Sequence, residues 1–99
     1  MLKNFDGFFY GLDGIAIQEN GQPVLLSKLV TNVLLATFPD EISLTGEDKL
    51  KRFDLASKVQ KGGEQHYTPE EIVLIRQLAG KGLTTLGCAR VWKATDDNV

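Results

Sequence analysis

An α+β domain is the fold this sequence predicts: a short N-terminal antiparallel β-meander of hairpins packed on a bundle of about four short α-helices. Three observations predict it. Turn dipeptides punctuate residues 1–24, a strongly apolar segment occupies 25–38, and beyond residue 45 apolar residues recur at helical spacing between cap residues. The organisation expected is a single domain over 1–95, with 1–24 as the meander, 25–95 as the helical part, and 96–99 as a frayed acidic tail.

The meander rests on Asp6-Gly7, Asp13-Gly14 and Asn20-Gly21, spaced by seven residues. Such dipeptides favour tight hairpin turns because their central positions accept positive φ. Between them lie the β-type runs Phe8-Phe9-Tyr10 and Ile15-Ala16-Ile17-Gln18, and Pro23 suits an edge or a strand end. Strands this short must lean on the helices. A calcium-loop reading of the Asp-Gly turns fails, since alternating oxygen ligands and a closing Glu are missing. Neighbours in a strand point to opposite faces, so Phe8, Phe9 and Tyr10 cannot all enter one core. They are candidates for an interaction surface, against the plainer expectation that a loop covers Phe9.

The first helix is expected from Ser27, a cap candidate, through Leu29, Val30, Val33, Leu34 and Phe38, with Pro39 as the stop. A second begins at Thr45, with Glu47 and Asp48 in its first turn. It carries the stripe Leu50, Phe53, Ala56 and Val59, flanked by Leu55, and closes with Lys58, Lys61 and Gly62-Gly63. Its basic residues read first as a solvated face; the sharper reading makes Lys51 and Arg52 a phosphate or acidic-partner patch. Glu64, Gln65 and His66 form a loop, and His66 has no second ligand type at metal spacing. Thr68, Pro69 and Glu71 spell a capping box with proline at the first helical position, and Tyr67 and Ile72 complete a hydrophobic staple. The third helix presents Ile72, Ile75, Leu78 and Ala79 and ends at Gly80 or Gly82. A last helix starts at Thr84 or Thr85, with Cys88, Val91 and Trp92 on one face. The expected core is Leu26, Leu29, Val30, Val33, Leu34, Leu50, Phe53, Val59, Ile72, Ile75, Leu78, Val91 and Trp92.

Composition sets the functional limits. The formal net charge of −2 opposes general binding to nucleic acid or to an acidic membrane surface. One cysteine, Cys88, makes no internal disulfide, the first residues lack a signal-peptide apolar run, and no segment has about 18 consecutive apolar residues. The expectation is a soluble cytoplasmic protein without a membrane partner. One His, one Cys and three Ser provide no metal-ligand spacing, phosphate-cradling loop or nucleophile elbow. No catalytic residue, cofactor or metal is expected, and the protein is expected not to be an enzyme.

The order of features has a familiar pattern. Repeated Asp-Gly turns lead to an apolar helix, then TGEDKLKRFDLASKVQKGGE at 45–64, TPEEIVLIRQLAGKG at 68–82, and Gly-x-x-x-Val-Trp at 87–92. Together they resemble a set of small proteins of unassigned function encoded in tailed bacteriophages and prophages. The resemblance covers most of the chain. It implies a phage origin and a place in the host bacterial cell, and it carries over no functional residue.

Three functional expectations follow. The first is a non-enzymatic phage-type protein acting through protein–protein contacts, as a virion-assembly accessory or as an inhibitor or adaptor of a host protein or defence complex. Its partner would be a phage structural or host protein, or a second copy in a homo-oligomer, met through Phe8, Phe9 and Tyr10 or through a sheet edge of the meander. The alternative is a DNA-binding regulator with a degenerate helix-turn-helix in 68–95. That reading needs Arg76, Lys81, Arg90 and Lys93 on one exposed face. A further alternative is a small-ligand-binding or sequestering protein with a pocket between meander and helices.

Overall fold

The computed structural model describes residues 2–96. They form an α+β domain of four helices and two small antiparallel sheets, in the order β1 (Leu2–Lys3), β2 (Gln18–Glu19), β3 (Gln22–Pro23), α1 (Leu26–Leu35), α2 (Gly46–Lys61), β4 (Gln65–His66), α3 (Pro69–Gly82) and α4 (Thr85–Ala94). Of the tail expected to fray at 96–99, only Asp96 lies within the described residues. Among the described residues no helix is long and apolar enough to cross a membrane.

Two of the three turn dipeptides make hairpin turns. Asn20 and Gly21 take φ of 54° and 78°, which closes β2 on β3 in the register Gln18↔Pro23 and Glu19↔Gln22. At the second turn Gly14 has φ 80° and donates its N–H to Gly11 O at 3.1 Å, while Gly11 N–H reaches Ile15 O at 3.0 Å. This is the three-residue loop with a left-handed glycine at its end. Asp6-Gly7 makes no such turn, because neither residue has positive φ. Asp6 instead accepts the Gly63 N–H at 2.7 Å, tying the N-terminal segment to the α2–β4 link.

Between these turns the backbone closes on itself. Phe9 N–H donates to Val24 O at 2.7 Å, Val24 N–H to Ile17 O at 2.9 Å, and Ile17 N–H to Phe9 O at 2.8 Å. Three strand segments are thus joined in a ring of hydrogen bonds, and at this level the donors are spent inside the meander. The same segment caps α1. Leu25 is the N-cap residue and its side chain makes no capping bond. The N–H groups of Leu26 and Ser27 are taken by Gly7 O and Phe5 O at 2.9 and 2.7 Å. Ser27 is therefore a buried first-turn residue and not the cap expected of it.

α1 is the central helix and touches α2, α3 and α4. It ends at Leu35, before Phe38, which is half-buried against the core. α2 starts on a capping box in which Asp48 N–H donates to Thr45 Oγ1 at 3.1 Å and Thr45 N–H to Asp48 Oδ2 at 3.2 Å. α3 repeats the device with Glu71 N–H to Thr68 Oγ1 at 3.1 Å and Thr68 N–H to Glu71 Oε1 at 2.8 Å. α4 starts on Thr84, whose hydroxyl accepts from Gly87 N–H at 3.2 Å.

Three expectations about the core and one about a loop need correction. α2 buries Arg52, Leu55, Ala56 and Val59, so Leu50 and Phe53 face solvent. Trp92 is 44% exposed on the outside of α4, where its indole N–H donates to Arg76 O at 3.1 Å. Gln65 and His66 are not loop but strand β4, paired antiparallel as Leu2↔His66 and Lys3↔Gln65. The core also includes Phe5 and Tyr67, packed edge to face at 5.6 Å and 79° where β1 pairs with β4, the strand between α2 and α3. Val30, Val33, Leu34, Val59, Ile72, Ile75, Leu78 and Val91 are buried as expected, with Leu26 and Leu29 partly so.

Candidate interaction surface

The aromatic run splits as strand geometry requires. Phe9 is turned inward and 9% exposed, while Phe8 and Tyr10 are 43% and 42% exposed. Phe8 is bridged to Leu25 and Tyr10 to Ala16, which puts Phe8 and Tyr10 on the outer face of the meander. Their rings lie 6.2 Å apart at 59°. Leu12 and Ile15, in the turn beyond, add two exposed aliphatic side chains. Four large apolar side chains are thus presented by one hairpin.

The hairpin is held from the helical side. Arg90 on α4 donates from Nε to Tyr10 O and from Nη2 to Gly11 O, both at 2.9 Å. These carbonyls lie where the strand enters its turn, so a guanidinium fork fixes the base of the exposed tip. No sequence pattern announces this contact, which spans about eighty residues.

Lys51 and Arg52 do not act together. Lys51 is exposed on α2, whereas Arg52 is buried and engages Glu41 of the α1–α2 loop through both guanidinium nitrogens, Nη1 to Oε1 at 3.0 Å and Nη2 to Oε2. Glu41 also accepts the Phe38 N–H at 3.2 Å and lies 3.7 Å from Lys81 Nζ. The Arg52 hydrogen bonds, helped by the Phe38 amide and the nearby cations, draw its carboxyl down from 4.5 to about 2 despite burial. The same pair raises the Arg52 pKa. The Arg52 charge is neutralised inside the molecule.

Of the four cations that a DNA-binding face would need, Arg76 and Lys93 line one groove, while Lys81 and Arg90 are engaged elsewhere. Arg76 donates to Thr95 Oγ1 at 2.7 Å and to Trp92 O at 3.3 Å, and its guanidinium sits 4.9 Å from the Trp92 ring. Lys81 pairs with Asp40 at 3.1 Å, and Arg90 holds the hairpin. Lys93 is exposed on α4. An open groove of about 750 Å³ lies between α3 and α4, lined by Arg76, Leu83, Cys88, Ala89, Trp92 and Lys93 among others. His66 is exposed on β4 and Cys88 half-buried on α4. Among the described residues no three His, Cys, Asp or Glu side chains gather as metal ligands would. Comparison with protein-family models, with curated proteins and with solved structures finds no match.

Proposed function

We propose that this chain is a non-catalytic protein of phage type that works by binding another protein through the outer face of its N-terminal meander. The observation that carries the reading is the pair Phe8 and Tyr10, side by side and exposed on a hairpin whose base is fixed by Arg90. Aromatic anchors on a rigid support contribute disproportionately to protein interfaces, because little conformational freedom is lost when they dock. Leu12 and Ile15 extend the patch. The closed ring of backbone bonds favours side-chain docking over addition of a strand to the meander. The partner is a phage structural protein or a host protein, met in the host cytoplasm without a cofactor.

The DNA-binding alternative has weaker support, because Arg76, Lys81 and Arg90 are engaged within the fold. A second reading, small-ligand binding, is favoured by the α3–α4 groove with its exposed Trp92, a different place from the junction of meander and helices where the sequence puts a pocket.

The test is affinity capture from infected and uninfected bacterial lysate, comparing the unaltered chain with Phe8→Ser/Tyr10→Ser. A partner held by this face should be retained by the unaltered chain, and the double variant should bind it about 30-fold or more weakly. The helical circular dichroism should be the same in both, since neither side chain belongs to the core. A partner retained equally by both proteins would rule this surface out.

A further inference from the structure

A second apolar surface lies on the helical side, distinct from the hairpin. α2 packs inward through Arg52, Leu55, Ala56 and Val59. Leu50 and Phe53 therefore face outward, with Leu35 of α1 beside Phe53. Each of the three is more than half exposed. Phe53 stands between two grooves. One, about 390 Å³, is lined by Thr31, Leu35, Ala56, Ser57 and Gln60; the other, about 310 Å³, by Leu34, Leu35, Thr37 and Leu44.

We infer that the α1–α2 face is the interface of a two-fold homodimer, in which Leu50 and Phe53 of each copy enter the grooves of the other. A two-fold contact joins one patch to itself, so knob and hole must lie on the same patch. Here they do: the projecting Phe53 forms a wall of both depressions. Charge selects the orientation. α2 carries Glu47 and Asp48 at its start and Lys61 at its end. Antiparallel pairing of α2 with its counterpart sets Glu47 opposite the partner's Lys61 and opposes the two helix dipoles; parallel pairing sets like charge against like. A second copy thus supplies both the shape and the charge that this face needs.

Size sets the strength. A 16-residue helix is about 24 Å long. With the flank of α1 the face is narrow, below the roughly 800 Å² per partner of a standard interface. Dimerisation should therefore depend on concentration in the micromolar range.

Sedimentation velocity of the full chain from about 1 to about 500 µM tests this. The mass should rise from 10.9 kDa toward twice that value. Phe53→Glu and Leu50→Glu should each remain monomeric throughout, with the thermal melt read by circular dichroism little changed. Glu47→Lys and Lys61→Glu should each weaken association about tenfold, and the double variant should restore it. Three results would each overturn the inference: a monomer at every concentration, a dimer that survives Phe53→Glu, or a dimer lost on Phe8→Ser/Tyr10→Ser instead.

Discussion

Glu41 fastens the loop between α1 and α2 by placing a carboxylate between Arg52, Lys81 and the Phe38 amide. Its pKa falls to about 2 in the folded chain, against 4.5 ordinarily, because the ionised form is the one these donors bind. Between those values the unfolded chain takes up a proton that the folded chain refuses. Stability from this group is thus complete above about pH 4.5 and lost as pH falls toward 2. Urea unfolding across that window should show a midpoint that drops on acidification, and Glu41→Gln should flatten the drop. A slope unchanged by Glu41→Gln would mean that another carboxylate is responsible. The sequence placed Arg52 on a basic face because five cations crowd α2. Which of them turns inward depends on a carboxylate eleven residues away, and local spacing does not carry that information.

At the scale of the element, the caps of α2 and α3 were the most readable feature, since each is written within four residues, whereas Ser27, the cap expected for α1, lies inside that helix. Thr45 and Thr68 begin α2 and α3 where their sequence places them. The buried face of α2 was harder. Two apolar stripes run along the helix, one through Leu50 and Phe53 and one through Leu55, Ala56 and Val59, and periodicity alone does not decide which one is buried. β4 was missed for a different reason: two residues form a strand only because β1, some sixty positions earlier, lies beside them. The link before β4 carries its own prediction. Gly62 has φ 76° and ψ −176°, a region that side chains avoid, and a Cβ there would meet the Asp6 carboxylate at 3.0 Å. Gly62→Ala should cost about 1–3 kcal/mol in chemical denaturation. A smaller loss would mean that the α2–β4 link relaxes without disturbing Asp6.

On the scale of the whole molecule, the described residues span 40 × 28 × 23 Å. The α+β layout was readable because turn dipeptides and helical periodicity occupy separate stretches of the chain, 1–24 and 25–95. That Phe8, Phe9 and Tyr10 could not all be buried followed from the alternation of a strand; that Phe9 is the one turned inward did not. What supports them did not follow, since Arg90, Asp6 and Phe5 act across the fold through contacts that depend on assembly. Those contacts tie the N-terminal segment to the rest of the fold at three places: its carbonyls to α4, Asp6 to Gly63 of the α2–β4 link, and Phe5 to Tyr67 between β4 and α3. The ring through Phe9, Ile17 and Val24 then has a kinetic consequence. Removing any one of the three segments breaks two of the three bonds, so the ring opens as a unit and not bond by bond. In native-state hydrogen–deuterium exchange the three should share one protection factor, close to that of the slowest amides in α1, while the turn amide of Gly14 exchanges far sooner. This small ring should open to solvent only when the whole molecule does.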